Sequence, residues 1–344
     1  MHRAFVTACA LLFVAAPAQA RTRVAHSGDW TPTTDKDIAR FCRKHDSITG
    51  RLIIGPDWPL ADLAPLRCLQ SIGEGLIVRQ APMLERLDGL DGLKGNRGVA
   101  LRVVRIVENP QLTSLDGLRS AQLATQTLVV TGNAALDHVD DSVSLVSGGK
   151  VLITANRKLQ RIQGPPGTKK GVRVEQLTVS NNVALTELGG FEDVDQVGEL
   201  HISVNASLER LGGLPDLATV EDWIVRGNPS LSSWTAGTQL NAADSLVIED
   251  NDALLRLPEL PALQRATTVV IADNDALTDL SGIGGVGGAR AVRPSVDELR
   301  VEANDRLEYA AARALAARLA LSDRPDALKI RANGGALRPP DATD

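Results

Sequence analysis

Leu200-His-Ile202-Ser-Val-Asn205-Ala-Ser-Leu208-Glu-Arg-Leu211-Gly-Gly-Leu214-Pro-Asp-Leu217-Ala-Thr-Val220 places apolar residues five and three positions before an asparagine and at every third position after it. The same frame recurs around Asn109, Asn133, Asn156, Asn182, Asn228, Asn251, Asn274, Asn304 and Asn333, and two earlier units fit with Asp57 and Ala81 in the asparagine place. That makes about twelve units, a period diagnostic of a solenoid. From Asn182 through Asn205, Asn228 and Asn251 to Asn274 each step is 23 residues. Longer steps hold loop excursions at 93–98, 164–171 and 284–288, which is how solenoids vary.

Within a unit, the Leu-x-Ile stretch alternates and is rich in β-branched residues, so it reads as a short strand with two side chains inward. The every-third-residue stretch suits neither strand nor helix and implies a chain that drops one side chain inward at each corner. No single coil can bury its own core. Stacking pairs each Leu-x-Ile with the next as a parallel sheet, giving a mainly β, leucine-rich-repeat-like solenoid with a rod length on the order of 55 Å. Asparagine tolerates the left-handed conformation, and its amide can satisfy inward-facing backbone groups, so one per coil is structural rather than catalytic. Gly89, Gly117, Gly190, Gly213 and Gly282, each at the same offset past its marker, imply corners with positive φ.

A chain of 344 residues, 43% hydrophobic and 23% charged, can fill such a core and lacks the composition of a disordered protein. Lys and Arg number 37 against 42 Asp and Glu, and no basic segment stands ready to neutralise a phosphate backbone, which argues against nucleic acid as a partner. Residues 1–20 read as a cleaved secretory signal: Arg3, an apolar run from Ala4 to Ala16, then Ala18 and Ala20 around Gln19. No later run is long enough to anchor the mature chain in a bilayer. Export places the protein in the periplasm, at the cell surface or outside the cell. There, the even pair Cys42 and Cys68 reads as a disulfide.

Residues 21–50 form a front cap, in which Thr34-Asp-Lys-Asp37 resembles a capping box opening a short helix with Ile38, Phe41 and Cys42. Towards the rear, Leu307, Ala311, Leu315 and Leu319 at i+4 spacing predict a second helix over 307–321. Residues 338–344 read as a disordered tail.

The segment Cys42 followed by Ile48-Thr-Gly50-Arg-Leu52-Ile-Ile54, the repeated Leu-x-Ile-x-x-Asn-x-x-Leu-x-x-Leu, and Asp116-Gly117-Leu118 together resemble the receptor L-domain family over residues 40 to 335. The resemblance implies a right-handed β-helical solenoid used for extracellular binding without catalysis. Residues 51–337 hold about twice the coils of one such module, as one extended solenoid or two modules fused end to end. No ligand contact is defined by a motif present here.

Several residues invite chemistry. Asp250, Asp252, Asp273 and Asp275 flank the asparagines of two adjacent coils, so their carboxylates could gather within about 5 Å and hold Ca2+, or act on sugar bonds as in polysaccharide-cleaving β-helix enzymes. Turn aspartates need no such explanation, and solvated turns are the expectation. His26, His45, His138 and His201 show no metal-ligand spacing, and neither a nucleophile elbow nor a phosphate loop occurs, so no catalytic residue or cofactor is assigned. Trp223 and Trp234 fall in leucine register and should fill the core; Lys169, Lys170 and Arg173 form a basic surface loop.

The middle residue of Leu-x-Ile should point outwards. In that column Ile53, Ile77, Val129, Leu152, Ile224, Val247 and Val270 are aliphatic, whereas the column two residues on is small or polar, with Arg79, Thr131, Ser203, Arg226 and Glu249. Adjacent exposed aliphatics make an interaction patch, and Ile224, Val247 and Val270 are the expected contact for a protein or glycan partner. The sequence therefore describes an exported, non-enzymatic binding or scaffold protein, with a carbohydrate-active β-helix enzyme as the alternative.

Overall fold

The structure, a computed structural model, describes residues 23–93, 100–121, 123–140, 143–163, 171–283 and 294–331. The signal segment, the tail, Asn333, Lys169, Lys170 and the glycines at 284–288 lie outside the described residues. Among the described residues the chain is a parallel β-solenoid. Its main sheet has thirteen strands, of which twelve follow one another in chain order from Arg51–Ile54 to Leu328–Arg331, while Val143–Leu145 pairs beside Leu123–Thr131 off that path. Register follows the repeat: Leu200, Trp223, Leu246, Val269 and Leu299 stand opposite one another on successive strands.

About nine turns are regular, fewer than the twelve units of the sequence pattern. Nine buried asparagines mark them, Asn109, Asn133, Asn156, Asn182, Asn205, Asn228, Asn251, Asn274 and Asn304. The front units at Asp57 and Ala81 lack the amide that locks one coil to the next.

The every-third-residue stretch also forms strand. His138–Val139, Arg161–Ile162, Glu187–Leu188, Arg210–Leu211 and Ser233–Trp234 pair in parallel as a second, narrow sheet. One residue of each pair is buried, so the corner leucines and Trp234 enter the core while their neighbours face solvent. Trp223 is fully buried and its ring lies 5.2 Å from that of Trp234, so both fill the core as leucines do elsewhere. Gly237 makes this possible: a Cβ there would lie 2.6 Å from the Trp223 ring.

The asparagine ladder is continuous. The Asn205 side chain donates from Nδ2 to the Val179 carbonyl at 3.0 Å and to Asn228 Oδ1 at 3.2 Å. Its own Oδ1 accepts from the backbone N–H of Asn182 at 3.1 Å and from Asn182 Nδ2 at 3.4 Å. Buried polar groups that are fully paired in this way stabilise one register over its neighbours.

The left-handed residue is not the asparagine but the one before it. Gln80, Glu108, Ala155, Asn181, Val204, Asp250, Asp273 and Ala303 all have φ between 50° and 59°, and Gly132 and Gly227 fill the same place at 71° and 66°. The glycines eight past the marker divide. Gly89, Gly190 and Gly213 have positive φ, whereas Gly117 and Gly282 do not and are instead glycine because a Cβ would sit 2.2 Å from backbone of the preceding coil. Val204 is β-branched, and its branched Cβ crowds the left-handed backbone. Val204→Gly, which copies Gly132 and Gly227, is expected to raise stability by about 1 kcal/mol in chemical denaturation; a loss would mean that Val204 is not strained.

Helix α1 (Asp35–Lys44) forms the front cap, with Thr34 accepting from the Asp37 backbone N–H at 3.2 Å and Ile38 and Phe41 buried. Hydrogen bonds from the Thr34 and Thr33 hydroxyls hold the Asp37 carboxyl below its ordinary range. Trp30 stacks on Phe41 at 3.7 Å, and bridges from His26 to Ile48 and from Trp30 to Leu52 cover the first edge of the sheet system. An open edge would otherwise template pairing with other chains. Cys42 and Cys68 are bonded, tying α1 to the turn Ala64–Cys68.

Near the rear, α2 (Tyr309–Arg318) is shorter than the 307–321 expected and buries Ala312, Leu315 and Ala316. Arg318 reaches back to the carbonyls of Leu280 at 2.7 Å and Ile283 at 3.4 Å, and burial pushes its guanidinium below its usual range. Among the described residues no helix is long and apolar enough to cross a membrane.

Candidate functional site

The core takes alternate residues of each main strand, and the others form an open face. On that face the middle column is in direct register: Ile224 stands opposite Val247 and Val247 opposite Val270. Neighbouring strands lie about 4.8 Å apart, so the three side chains touch in a row. Each is half-buried, because it lies against its column neighbours while its tip faces solvent. His201 precedes the row and Arg300 follows it. Asp222, Ser245 and Thr268 line one side; Arg226, Glu249 and Ala272 line the other, where Arg226 and Glu249 pair at 3.6 Å. The outward orientation expected from strand periodicity is thus the orientation found. Not every member of the column is open: Val129 is 8% exposed.

The four aspartates of the Ca2+ expectation do not form a cage. Among the described residues the one group that brings three metal-ligating atoms within 4.8 Å is Asp116, His138 and Asp140, and Asp250, Asp252, Asp273 and Asp275 make no such group. The reason is backbone geometry: Asp250 and Asp273 occupy the left-handed turn position, with φ of 59° and 51°, and all four side chains are exposed. They still sense each other. Partial burial, then the charges of Asp275 and Asp250, raise the Asp252 carboxyl above its ordinary range, against a hydrogen bond from the Asp275 backbone N–H.

The Asp116, His138 and Asp140 cluster is absent from any reading by short spacing, because its members come from adjacent coils. The turn Asp116–Ala121 carries Asp116 and Arg119, and the strand His138–Val139 lies one coil on. His138 Nε2 is 3.6 Å from Asp116 and 3.9 Å from Asp140, and its Nδ1 meets Asp137. Arg119 bonds Asp140 and lies 3.7 Å from Asp116, so a guanidinium already balances both carboxylates. A metal ion would have to compete with it, and the arrangement is that of an ion-pair cluster.

Of the other histidines, His26 and His45 belong to the aromatic packing of the front cap and His201 lies on the open face. Arg173, the described member of the basic loop, pairs with Glu221 at 3.7 Å. Comparison with family models, with curated proteins and with solved structures finds no match to this chain.

Proposed function

We propose that this chain is an exported, non-enzymatic binding or scaffold protein that recognises a protein or glycan through the open face of its main sheet, in the manner implied by its resemblance to receptor L domains. The observation that carries the reading is the in-register row Ile224, Val247 and Val270, solvent-facing on a rigid sheet and rimmed by charged and hydroxyl side chains. Rigid elements hold contact groups with little ordering cost on binding. The disulfide supports an oxidising destination in the periplasm, at the cell surface or outside.

Binding is preferred to polysaccharide cleavage because the aspartates that would do that chemistry stand exposed on turns. Glycoside cleavage needs two carboxyl groups held across one bond.

The test is comparative capture from the native envelope with the mature protein and with the triple variant Ile224→Ser, Val247→Ser, Val270→Ser. Loss of a specific captured partner by about tenfold or more, with a melting temperature changed by only a few degrees, is expected from three half-buried contacts. Capture that is indifferent to the triple change sinks the assignment of the face. Polysaccharide turnover abolished by Asp273→Ala would replace the reading with the enzymatic one.

A further inference from the structure

Cations on the open face differ in what stands beside them. Towards the rear three have a carboxylate close by: Arg226 with Glu249 at 3.6 Å, Arg300 with Glu302 at 3.4 Å, and Lys329 with Glu298 at 2.9 Å. Towards the front, Arg79 stands opposite Val107, and Arg105 stands between Ile77 and Val129, all aliphatic. Neither Arg79 nor Arg105 has an ion pair among the described residues. Arg51, by contrast, is held by Asp29 at 2.6 Å. The two free guanidiniums spring from diagonal positions on neighbouring strands, about 8 Å apart from the strand spacing and the rise per residue.

Between them lies a hollow of about 360 Å3, with Val107 and Val129 in its lining and Gln80 and Thr131 supplying polar groups. That volume is within the range of small-molecule sites. Glu108 also lines the hollow; its carboxylate accepts from Gln80 Nε2 at 2.8 Å and makes no ion pair with Arg79 or Arg105 among the described residues.

We infer that Arg79 and Arg105 form an anion-binding site for an acidic saccharide, one that presents carboxylates to the two guanidiniums and the apolar face of a sugar ring to the half-buried Val107. The inference deepens the reading of the chain as a binder and rests on it, but it places the contact at the opposite end of the face from Ile224. A planar guanidinium matches a carboxylate with two parallel donors, and such charge-assisted bonds exceed neutral ones in strength. Ring hydroxyls find the Gln80 amide and the Thr131 hydroxyl at the margin. Single-stranded nucleic acid fits poorly, since the hollow has no aromatic side chain on which a base could stack.

Titration calorimetry with the full mature chain tests this, using trigalacturonate as the acidic probe, maltotriose as the neutral one and inorganic sulfate as a bare anion. Trigalacturonate is expected to bind, to weaken about tenfold or more on Arg79→Gln and on Arg105→Gln, and to be indifferent to Arg226→Gln, whose side chain already has a partner. The triple Ser variant of Ile224, Val247 and Val270 should bind trigalacturonate as the parent does. Absence of trigalacturonate binding, equal binding of maltotriose, or insensitivity to both arginine changes overturns the inference; so does sulfate binding as tightly as the saccharide, which would make this an adventitious ion site only. If trigalacturonate fails while envelope capture through Ile224, Val247 and Val270 succeeds, the acidic-saccharide site falls and the binding reading stands. The arginines are exposed, and circular dichroism melts of each variant confirm that a lost signal reports lost contacts.

Discussion

Asn205→Leu is expected to cost about 3 to 5 kcal/mol of unfolding free energy, although leucine is apolar and close in size. Four hydrogen bonds vanish with the amide. The Asn182 backbone N–H loses its acceptor at 3.1 Å in a coil from which water is excluded, and the Val179 carbonyl loses a donor at 3.0 Å. An orphaned buried donor costs about 1 to 3 kcal/mol, and the branched leucine must also fit a slot shaped for a planar amide. Asn182 Nδ2 is spared, because it keeps the Ile153 carbonyl at 2.9 Å. Urea denaturation of the parent and the variant measures the difference. A change below about 1 kcal/mol would mean that the ladder contributes specificity but little stability.

Removing the bond between Cys42 and Cys68, by Cys42→Ser with Cys68→Ser, is expected to cost about 3 kcal/mol, the magnitude usual for a closed loop of a few tens of residues. The effect should be local as well as global. The bond fastens α1 to the turn Ala64–Cys68, and α1 brings Ile38 and Phe41 onto the first coils. Hydrogen exchange should therefore rise first over the cap and the front strands. Alkylation of the purified parent without reductant should label neither thiol, and labelling of both would refute the stapled cap.

The coil was legible in the sequence because every unit repeats the same inward leucines, and a period of two within each strand suffices to separate core from face, as it did for Ile224, Val247 and Val270. The capping box at Thr34 was equally plain, since N-cap chemistry is local. The left-handed turn was not. Its position carries Gln, Glu, Ala, Asn, Val, Asp and Gly in different coils, so composition gives no signal, and the asparagine beside it drew the inference instead. The narrow second sheet was missed because two-residue strands are too short to show alternation. The cluster around His138 and the unpaired state of Arg79 and Arg105 are lateral facts. They depend on which residue of one coil stands beside which residue of the next, and unequal steps between coils hide that register until the strands are paired.

The asparagine ladder also gives the solenoid a direction. In each of its eight links, Nδ2 of one asparagine donates to Oδ1 of the next, from Asn109 through to Asn304. The amide dipoles are therefore aligned in series, as peptide dipoles are in a helix, and each donor polarises the one behind it. The oxygen end is closed by the Ala81 backbone N–H at 3.1 Å. At the other end the Asn304 Nδ2 donates to the Ile271 and Glu302 carbonyls at 3.0 Å and 2.9 Å, so both termini of the series are satisfied within one molecule and its polarity orders coils, not neighbouring rods.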